Sequence, residues 1–244
     1  MTRSAAYLVD FDGTVTTKDL SSALAAFYGG DKYLEIENLY RIRKIAIREW
    51  LINIARLLPP DLDLLLSKAL QWTAIRPGFE HFITHAREQG SPVVIASDGF
   101  GFYIEPILEK YGLLDRIDRI YANRTEIGSG GLLAVRTPHA HAVCPVCGNC
   151  KAAHVLRLKE EGYPVIYIGD GSNDRFGAFW SDHICARDRL ARICGEYNIK
   201  FSPWVDFYDI IKVDKPAIAD RTGRSLCCPM GGGIKKQISG EGPW

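Results

Sequence analysis

Asp10 and Asp12 stand two residues apart in Asp10-Phe11-Asp12-Gly13-Thr14, directly after the apolar run Ala5-Ala6-Tyr7-Leu8-Val9. Alternate residues of a strand share a face, so both carboxylates can point to one side at the strand's end. Paired there they repel unless a cation lies between them, and Mg²⁺ suits such oxygens best when a phosphate completes its shell. Taken alone, the five residues also fit a surface turn rich in Asp and Gly. A second acidic pair follows the apolar run 165–168, in Gly169-Asp170-Gly171-Ser172-Asn173-Asp174. Asp170 and Asp174 lie four apart and flank the start of a helix. Between the two pairs come Ser97-Asp98-Gly99, a hydroxyl with backbone N–H groups suited to gripping phosphate, and Lys151, a cation that balances phosphate and carboxylate charge. Each piece has a bland alternative: Ser-Asp-Gly is a common turn, and a lone Lys is most often solvated. Their order points to metal-assisted phosphate chemistry.

A different set of ligands crowds the segment before Lys151. Cys144, Cys147 and Cys150 have C-x2-C-x2-C spacing, with His139 and His141 just ahead. These are the soft ligands of tetrahedral zinc, so Zn²⁺ on the three thiols and one histidine is an expectation. The usual zinc pattern has two separated pairs, whereas this is one compact triplet. Local packing or a redox-sensitive loop explains it equally well. Cys185, Cys194, Cys227 and Cys228 are expected to be buried or tail thiols.

The elements that must position these groups alternate. Strands are expected at 5–9, 92–96, 117–122, 165–168 and 183–186, with helices at 79–89, 101–111, 151–161, 173–180, 187–196 and 205–213. Residues 123–136 suggest a glycine-containing hairpin, and Pro106 should kink its helix or delay its start. Strands alternating with helices mean a parallel sheet covered on both faces, a Rossmann-like α/β fold. Ligands of such sheets bind beyond the carboxyl ends of the strands, where the acidic pairs fall. From Asp19 to Trp72 the apolar spacing is three and four instead, a helical pattern broken at Gly29-Gly30 and Pro59-Pro60. The division expected is a core of 1–14 and 76–221, a helical cap of 15–75 inserted after the first strand, and a Gly-rich tail of 222–244 with Lys235-Lys236. Arg41, Lys44 and Arg48 are expected to form a solvated stripe, and Trp50 and Tyr28 to be core residues.

Composition excludes several classes. Lys plus Arg total 30 and Asp plus Glu 29, which leaves no basic field for nucleic acid. No apolar run approaches a membrane span, and the residues before Asp10 are too few for a secretory signal. Seven cysteines, two of them adjacent, fit a reducing compartment better than a disulfide framework. The expectation is a cytoplasmic protein with a small-molecule partner, no nucleic acid and no membrane; no residue pattern specifies an oligomeric state.

In their order, 10–14, Ser97, Lys151 and 169–174 resemble the four motifs of the haloacid dehalogenase superfamily of phosphatases. The helical insertion resembles the small cap of its phosphoserine-phosphatase branch. Two further branches resemble the chain, the methionine-salvage phosphatases of 2-hydroxy-3-keto-5-methylthiopentenyl-1-phosphate and the phosphoethanolamine/phosphocholine phosphatases, the latter also in a Ser-Asp second motif and a His- and Cys-bearing run into the Lys. The resemblance implies that Asp10 attacks phosphorus and forms an aspartyl-phosphate, while Asp12 protonates the leaving oxygen and later activates water. It implies Mg²⁺ held by Asp10, Asp12 through its backbone carbonyl, Asp170 and Asp174, the last on metal-bound water or Lys151. It also implies a phosphate grip of Ser97, the N–H groups near Asp98, Lys151 and Asn173. Asp19, nine positions after the nucleophile, then faces the substrate, and it serves equally as an N-cap. The implied substrate is a small phosphomonoester, the methylthiopentenyl enol phosphate ahead of phosphoethanolamine, phosphocholine or phosphoserine. A phosphomutase or phosphotransferase, and a non-catalytic Cys/His metal-binding protein, are the readings from other classes.

Overall fold

Strand β1 (Ala6–Val9) is the centre of the molecule, and its burial alternates between two cores. Val9, with Tyr7 packed beside it, joins the core on one side of the sheet; Ala6 and Leu8 join the core on the other. This two-sided burial gives the unbroken apolar strands of a parallel sheet. The computed structural model describes residues 4–128 and 130–213, so the tail at 222–244, with Cys227 and Cys228, lies outside the described residues.

Seven strands are ordered β4-β3-β2-β1-β5-β6-β7. They are β2 (Val93–Phe100), β3 (Arg119–Ile127), β4 (Leu133–Arg136), β5 (Val165–Gly169), β6 (His183–Ala186) and β7 (Ser202–Pro203). All neighbours are parallel except the β3–β4 hairpin. The chain runs outward from β1 through β2 and β3, then returns to β5 on β1's other side. That reversal places a crevice at the carboxyl end of β1.

Four helices fall between β1 and β2: α1 (Leu20–Gly29), α2 (Asp31–Arg41), α3 (Ile47–Ala55) and α4 (Leu62–Trp72). An isolated antiparallel bridge joins Thr16 to Ile75, closing the two ends of this insertion. The helices outside it are α5 (Phe79–Glu88), α6 (Gly101–Lys110), α7 (Lys151–Glu160), α8 (Arg175–Ala178), α9 (Asp188–Glu196) and α10 (Phe207–Ile211).

Three local expectations are corrected. The strand expected at 92–96 continues to Phe100, with an irregular register between Ala96 and Phe100, so Ser97-Asp98-Gly99 is a bulged strand end and not a turn. Pro106 lies inside α6, which starts at Gly101, so of the two effects expected of it the late start does not occur. Arg41, Lys44 and Arg48 do not share one helix face. The chain breaks between α2 and α3, where Arg43 takes φ 62, a conformation more usual for glycine.

Candidate active site

The chain after β1 turns sharply: Phe11–Val15 form one wide turn, with Gly13 at φ 81. A side chain at Gly13 would bring its Cβ to 2.6 Å from Asp170 Oδ2, so this glycine lets the first acidic pair approach the second. Arg76 ties the turn from behind. Its Nε donates to the Thr14 carbonyl at 2.8 Å, and its Nη2 donates to the Gly13 and Thr16 carbonyls at 2.5 and 3.3 Å. The Thr14 hydroxyl donates to Asp170 Oδ1 at 2.6 Å.

At the centre Lys151, the first residue of α7, donates to Asp10 Oδ1 and to Asp174 Oδ1, both at 2.6 Å. All three are buried. The Tyr167 hydroxyl also donates to Asp174 Oδ1 at 2.6 Å, and Asp174 Oδ2 accepts from the Asp170 and Gly171 N–H groups. Both Asp174 oxygens are therefore engaged within the protein, and its carboxylate anchors Lys151. Burial works against the Lys151 ammonium, yet Asp10 and Asp174 outweigh it and raise its pKa well above the ordinary value. Burial also raises Asp10, helped by Asp174 and opposed by Lys151. Asp170 is pushed up to about 7 by burial and then by Asp174.

Asp12 faces another way. Its Oδ2 accepts from the Tyr103 hydroxyl and its Oδ1 from the Leu20 N–H at 3.1 Å. Ser21 Oγ lies 2.8 Å from the same Tyr103 hydroxyl. Burial, then the charge of Asp19, raises Asp12 to about 8, so at neutral pH it carries a proton.

A cavity of about 350 Å³ opens over these groups. Its floor is Asp10, Asp12, Ser97, Gly99, Lys151 and Asp170; α1, α2 and α3 roof it with Ser22, Glu37, Tyr40 and Trp50. Tyr40 reaches down, its hydroxyl donating to Asn173 Oδ1 and meeting Ser172 Oγ, both at 2.9 Å. Asp19 caps α1, accepting from the Ser22 N–H and hydroxyl, and also lines the cavity. Trp50 is in the core and walls the cavity too, donating from Nε1 to Glu37. Ser97 is buried, its Oγ accepting from the Gly99 N–H at 2.9 Å. The Asp98 side chain turns aside, Oδ1 accepting from the Asn149 N–H, so only its backbone suits a phosphate.

The oxygens of Asp10, Asp170 and Asp174 lie within 4.8 Å of one another. Two buried carboxylates and a half-buried one against one ammonium leave negative charge uncompensated, and hard oxygen donors fit Mg²⁺. Asp12 joins this trio through no side-chain oxygen; its carboxylate is committed to Tyr103 and Leu20.

The zinc expectation is corrected. Among the described residues, His139, His141, Cys144, Cys147 and Cys150 include no three that converge as ligands. The three cysteines pack with Val146, Ala152 and Phe176 in the core beside β5, and none is in a disulfide. Cys144 is lowered to about 6 chiefly by the Cys147 thiol, which donates to it. His139 packs edge-on against Tyr121, which stacks on His154 at 3.9 Å. Burial holds His154 neutral, lowered to about 3, and its Nε2 meets Asn149 Oδ1 at 2.6 Å. The loop's product is the position of Asn149, whose Nδ2 donates to the Ser97 and Tyr121 carbonyls.

Sequence reasoning missed Arg76, Tyr103, Tyr167 and Asn149. Arg76 reads as punctuation in Arg76-Pro77-Gly78, and the two tyrosines read as apolar members of periodic elements. Tyr167 alone left a signal, a hydroxyl inside an otherwise apolar strand.

The family model of haloacid dehalogenase-like hydrolases matches residues 7–176. The chain is 34% identical over 212 residues to the 2-hydroxy-3-keto-5-methylthiopentenyl-1-phosphate phosphatase of Exiguobacterium sibiricum, covering 84% of this chain and 93% of that one. It is 30% identical to the protein of the same name from Brevibacillus brevis, covering 87% and 96%. A substrate-bound phosphoserine phosphatase complex has the same fold, with TM-score 0.66 at 21% identity over 88% of this chain and all of that one. With its carboxylate and lysine motifs gathered in one cavity, the chain belongs to the haloacid dehalogenase-like hydrolases, among their phosphatases.

Proposed function

We propose that the chain hydrolyses a small phosphomonoester through an aspartyl-phosphate on Asp10, with 2-hydroxy-3-keto-5-methylthiopentenyl-1-phosphate as the substrate. One observation carries the reaction: two carboxylates of the same turn with different partners, an ammonium for Asp10 and neutral donors for Asp12. Asp10 is held by the Lys151 ammonium, which opposes the rise that burial gives it, whereas burial and then the charge of Asp19 raise Asp12 to about 8. The carboxylate held by an ammonium is the one suited to attack, and the one raised without a cation beside it is suited to donate a proton.

Asp10 attacks phosphorus, the ester P–O bond breaks, and the Asp12 proton goes to the leaving oxygen. Asp12, now ionised, takes a proton from water, which attacks the aspartyl-phosphate and frees inorganic phosphate. Lys151, Ser97 and Asn173 face the phosphoryl oxygens, and Asp174 and Tyr167 hold the lysine in place. Asp10, Asp170 and the Asp12 carbonyl would hold Mg²⁺, with Asp174 behind them. When bound, that ion supplies positive charge against the phosphate and keeps Asp10 ionised. Residues 15–75 act as the cap, whose roof over the cavity excludes polymers and bulk water.

The substrate assignment rests on the relatives' names and on a cavity for a compact tail. Asp19 and Glu37 beside Trp50 favour a second reading, a cationic head such as that of phosphoethanolamine. None of the five described cysteines is in a disulfide, which supports a reducing, cytoplasmic setting; no described helix is long and apolar enough to cross a membrane. The test is kcat/KM with Mg²⁺ over the enol phosphate, phosphoethanolamine, phosphocholine, phosphoserine and a 5′-phosphorylated oligonucleotide. The enol phosphate is expected to lead. A lead for the amines moves the assignment to the second reading, and a lead for the oligonucleotide overturns the role of the cap.

A further inference from the structure

We propose that a second cavity beside the catalytic one binds a phosphate-type polyanion. It has a volume of about 300 Å³ and is lined by Arg41, Arg43, Arg175, Arg189 and Arg192, with Glu196 as its one acid. Five guanidinium groups against one carboxylate is a sharp local excess in a chain of 30 basic and 29 acidic residues. Arg189 and Arg192 lie one turn apart on α9. Arg41 ends α2, and Arg43 follows in its left-handed conformation.

The inner wall is built. Arg175 is only 7% exposed, lies over the Phe176 ring at 4.3 Å, and donates from Nη1 to the Ser172 carbonyl at 2.6 Å. Among the described residues, Arg41, Arg43, Arg189 and Arg192 enter no ion pair within 4.0 Å. Arg41 and Arg189 feel Glu37 only beyond ion-pair distance; guanidinium groups gathered around a concavity without a close acidic partner repel one another, and an anion between them relieves that repulsion. Their planar forks match phosphate oxygens. A single carboxylate offers two oxygens and one charge, too little for five arginines, which is why the ligand is a polyanion.

The two cavities share a wall. Tyr40, Ser172, Asn173 and Arg189 line both, so a ligand here sits next to the catalytic groups without occupying their place. Two sources supply the same chemistry: the distal phosphate of a two-phosphate substrate, or a free phosphate or pyrophosphate. The site stands independently of the enol-phosphate assignment.

The experiment is calorimetric titration of the full chain with pyrophosphate in EDTA. Without a divalent cation the catalytic cavity, where Asp and Glu side chains outnumber its two cations Lys151 and Arg189, repels anions, so binding lost with Arg43 and Arg192 reports the arginine cavity. One equivalent is expected to bind saturably. Affinity should fall at least tenfold in the Arg43→Gln/Arg192→Gln variant and stay unchanged in Lys44→Gln, a charge outside the cavity. Absence of saturable binding overturns the proposal, as does an equal loss in Lys44→Gln. Should the double variant lose fold, the single Arg192→Gln, on an exposed side chain, carries the same comparison with a smaller loss. Kinetics with Mg²⁺ then separate the sources. If kcat/KM falls for an alkane bisphosphate but not for p-nitrophenyl phosphate, the ligand is part of the substrate. If pyrophosphate alters turnover of p-nitrophenyl phosphate in the wild type but not in the variant, it is a free anion.

Discussion

Two regions of this protein carry five metal-capable side chains each, and they use them in opposite ways. At the carboxyl end of β1, Asp10, Asp12, Asp98, Asp170 and Asp174 come from three strand ends, and three of them converge on one point beside Lys151. In the loop before α7, His139, His141, Cys144, Cys147 and Cys150 come from twelve consecutive residues and do not converge. Sequence density of ligands is therefore a poor guide to a site. Thiols and imidazoles can satisfy one another or stay neutral on burial, as the Cys147 thiol donates to Cys144 and His154 stays neutral, and so can serve as packing. Buried carboxylates cannot; each must find a cation, a proton or a donor.

The contrast breaks most directly at Asp10. Asp10→Asn is expected to lower kcat at least about a thousandfold, since an amide is a poor nucleophile, with thermal melting close to wild type. Turnover within tenfold of wild type removes Asp10 from the reaction.

Lys151→Met should cost both function and stability. Removing one partner of a buried ion pair costs about 3–5 kcal/mol, so a fall in denaturant midpoint is expected with a kcat loss of about a hundredfold or more. The stability loss should shrink as pH falls and Asp10 is protonated. A loss independent of pH would mean that the lysine stem, not its charge, holds the site.

The acidic region also sets a pH dependence. Burial raises Asp10, Asp12 and Asp170 in the folded protein, the last two to about 8 and 7, above the ordinary carboxylate value near 4. A group raised on folding contributes stability below its unfolded pKa and loses it as pH rises through its folded pKa. In EDTA the melting temperature should therefore fall between about pH 4 and 8. Added Mg²⁺ should raise it more at pH 8 than at pH 6. A flat profile in EDTA, or equal stabilisation at both values, contradicts the reading of the trio as a cation site.

The smallest effect is expected in the loop. Cys147→Ser should lower stability by about 1–2 kcal/mol, the cost of placing a hydroxyl in an apolar site, with kcat within about threefold of wild type. Elemental analysis of tag-free protein should show zinc near zero before and after the change. Stoichiometric zinc lost with Cys147 would restore the metal reading of the loop.

The α/β alternation, the inserted helices and the acidic motifs were all legible in the amino-acid sequence, because they are local. Apolar period, glycine at a turn and carboxylates after a strand are properties of neighbouring residues. Boundaries were less legible where no glycine or proline marks them. Arg43 ends the α2 segment with nothing in its residue type to announce it, and β2 continues through Ser97-Asp98-Gly99 because pairing with β3 resumes at Phe100. What only the tertiary structure decided are the meetings across long separations. Lys151 lies 141 positions from Asp10, Tyr103 lies 91 from Asp12, and Tyr40 lies 133 from Asn173. The same packing turned the Cys triplet inward and gathered arginines from α2, α8 and α9 around one cavity. Residue types set which charges exist; the parallel order of β2, β1 and β5 sets which of them must share a buried space, and that sharing raises the carboxylates and positions the lysine.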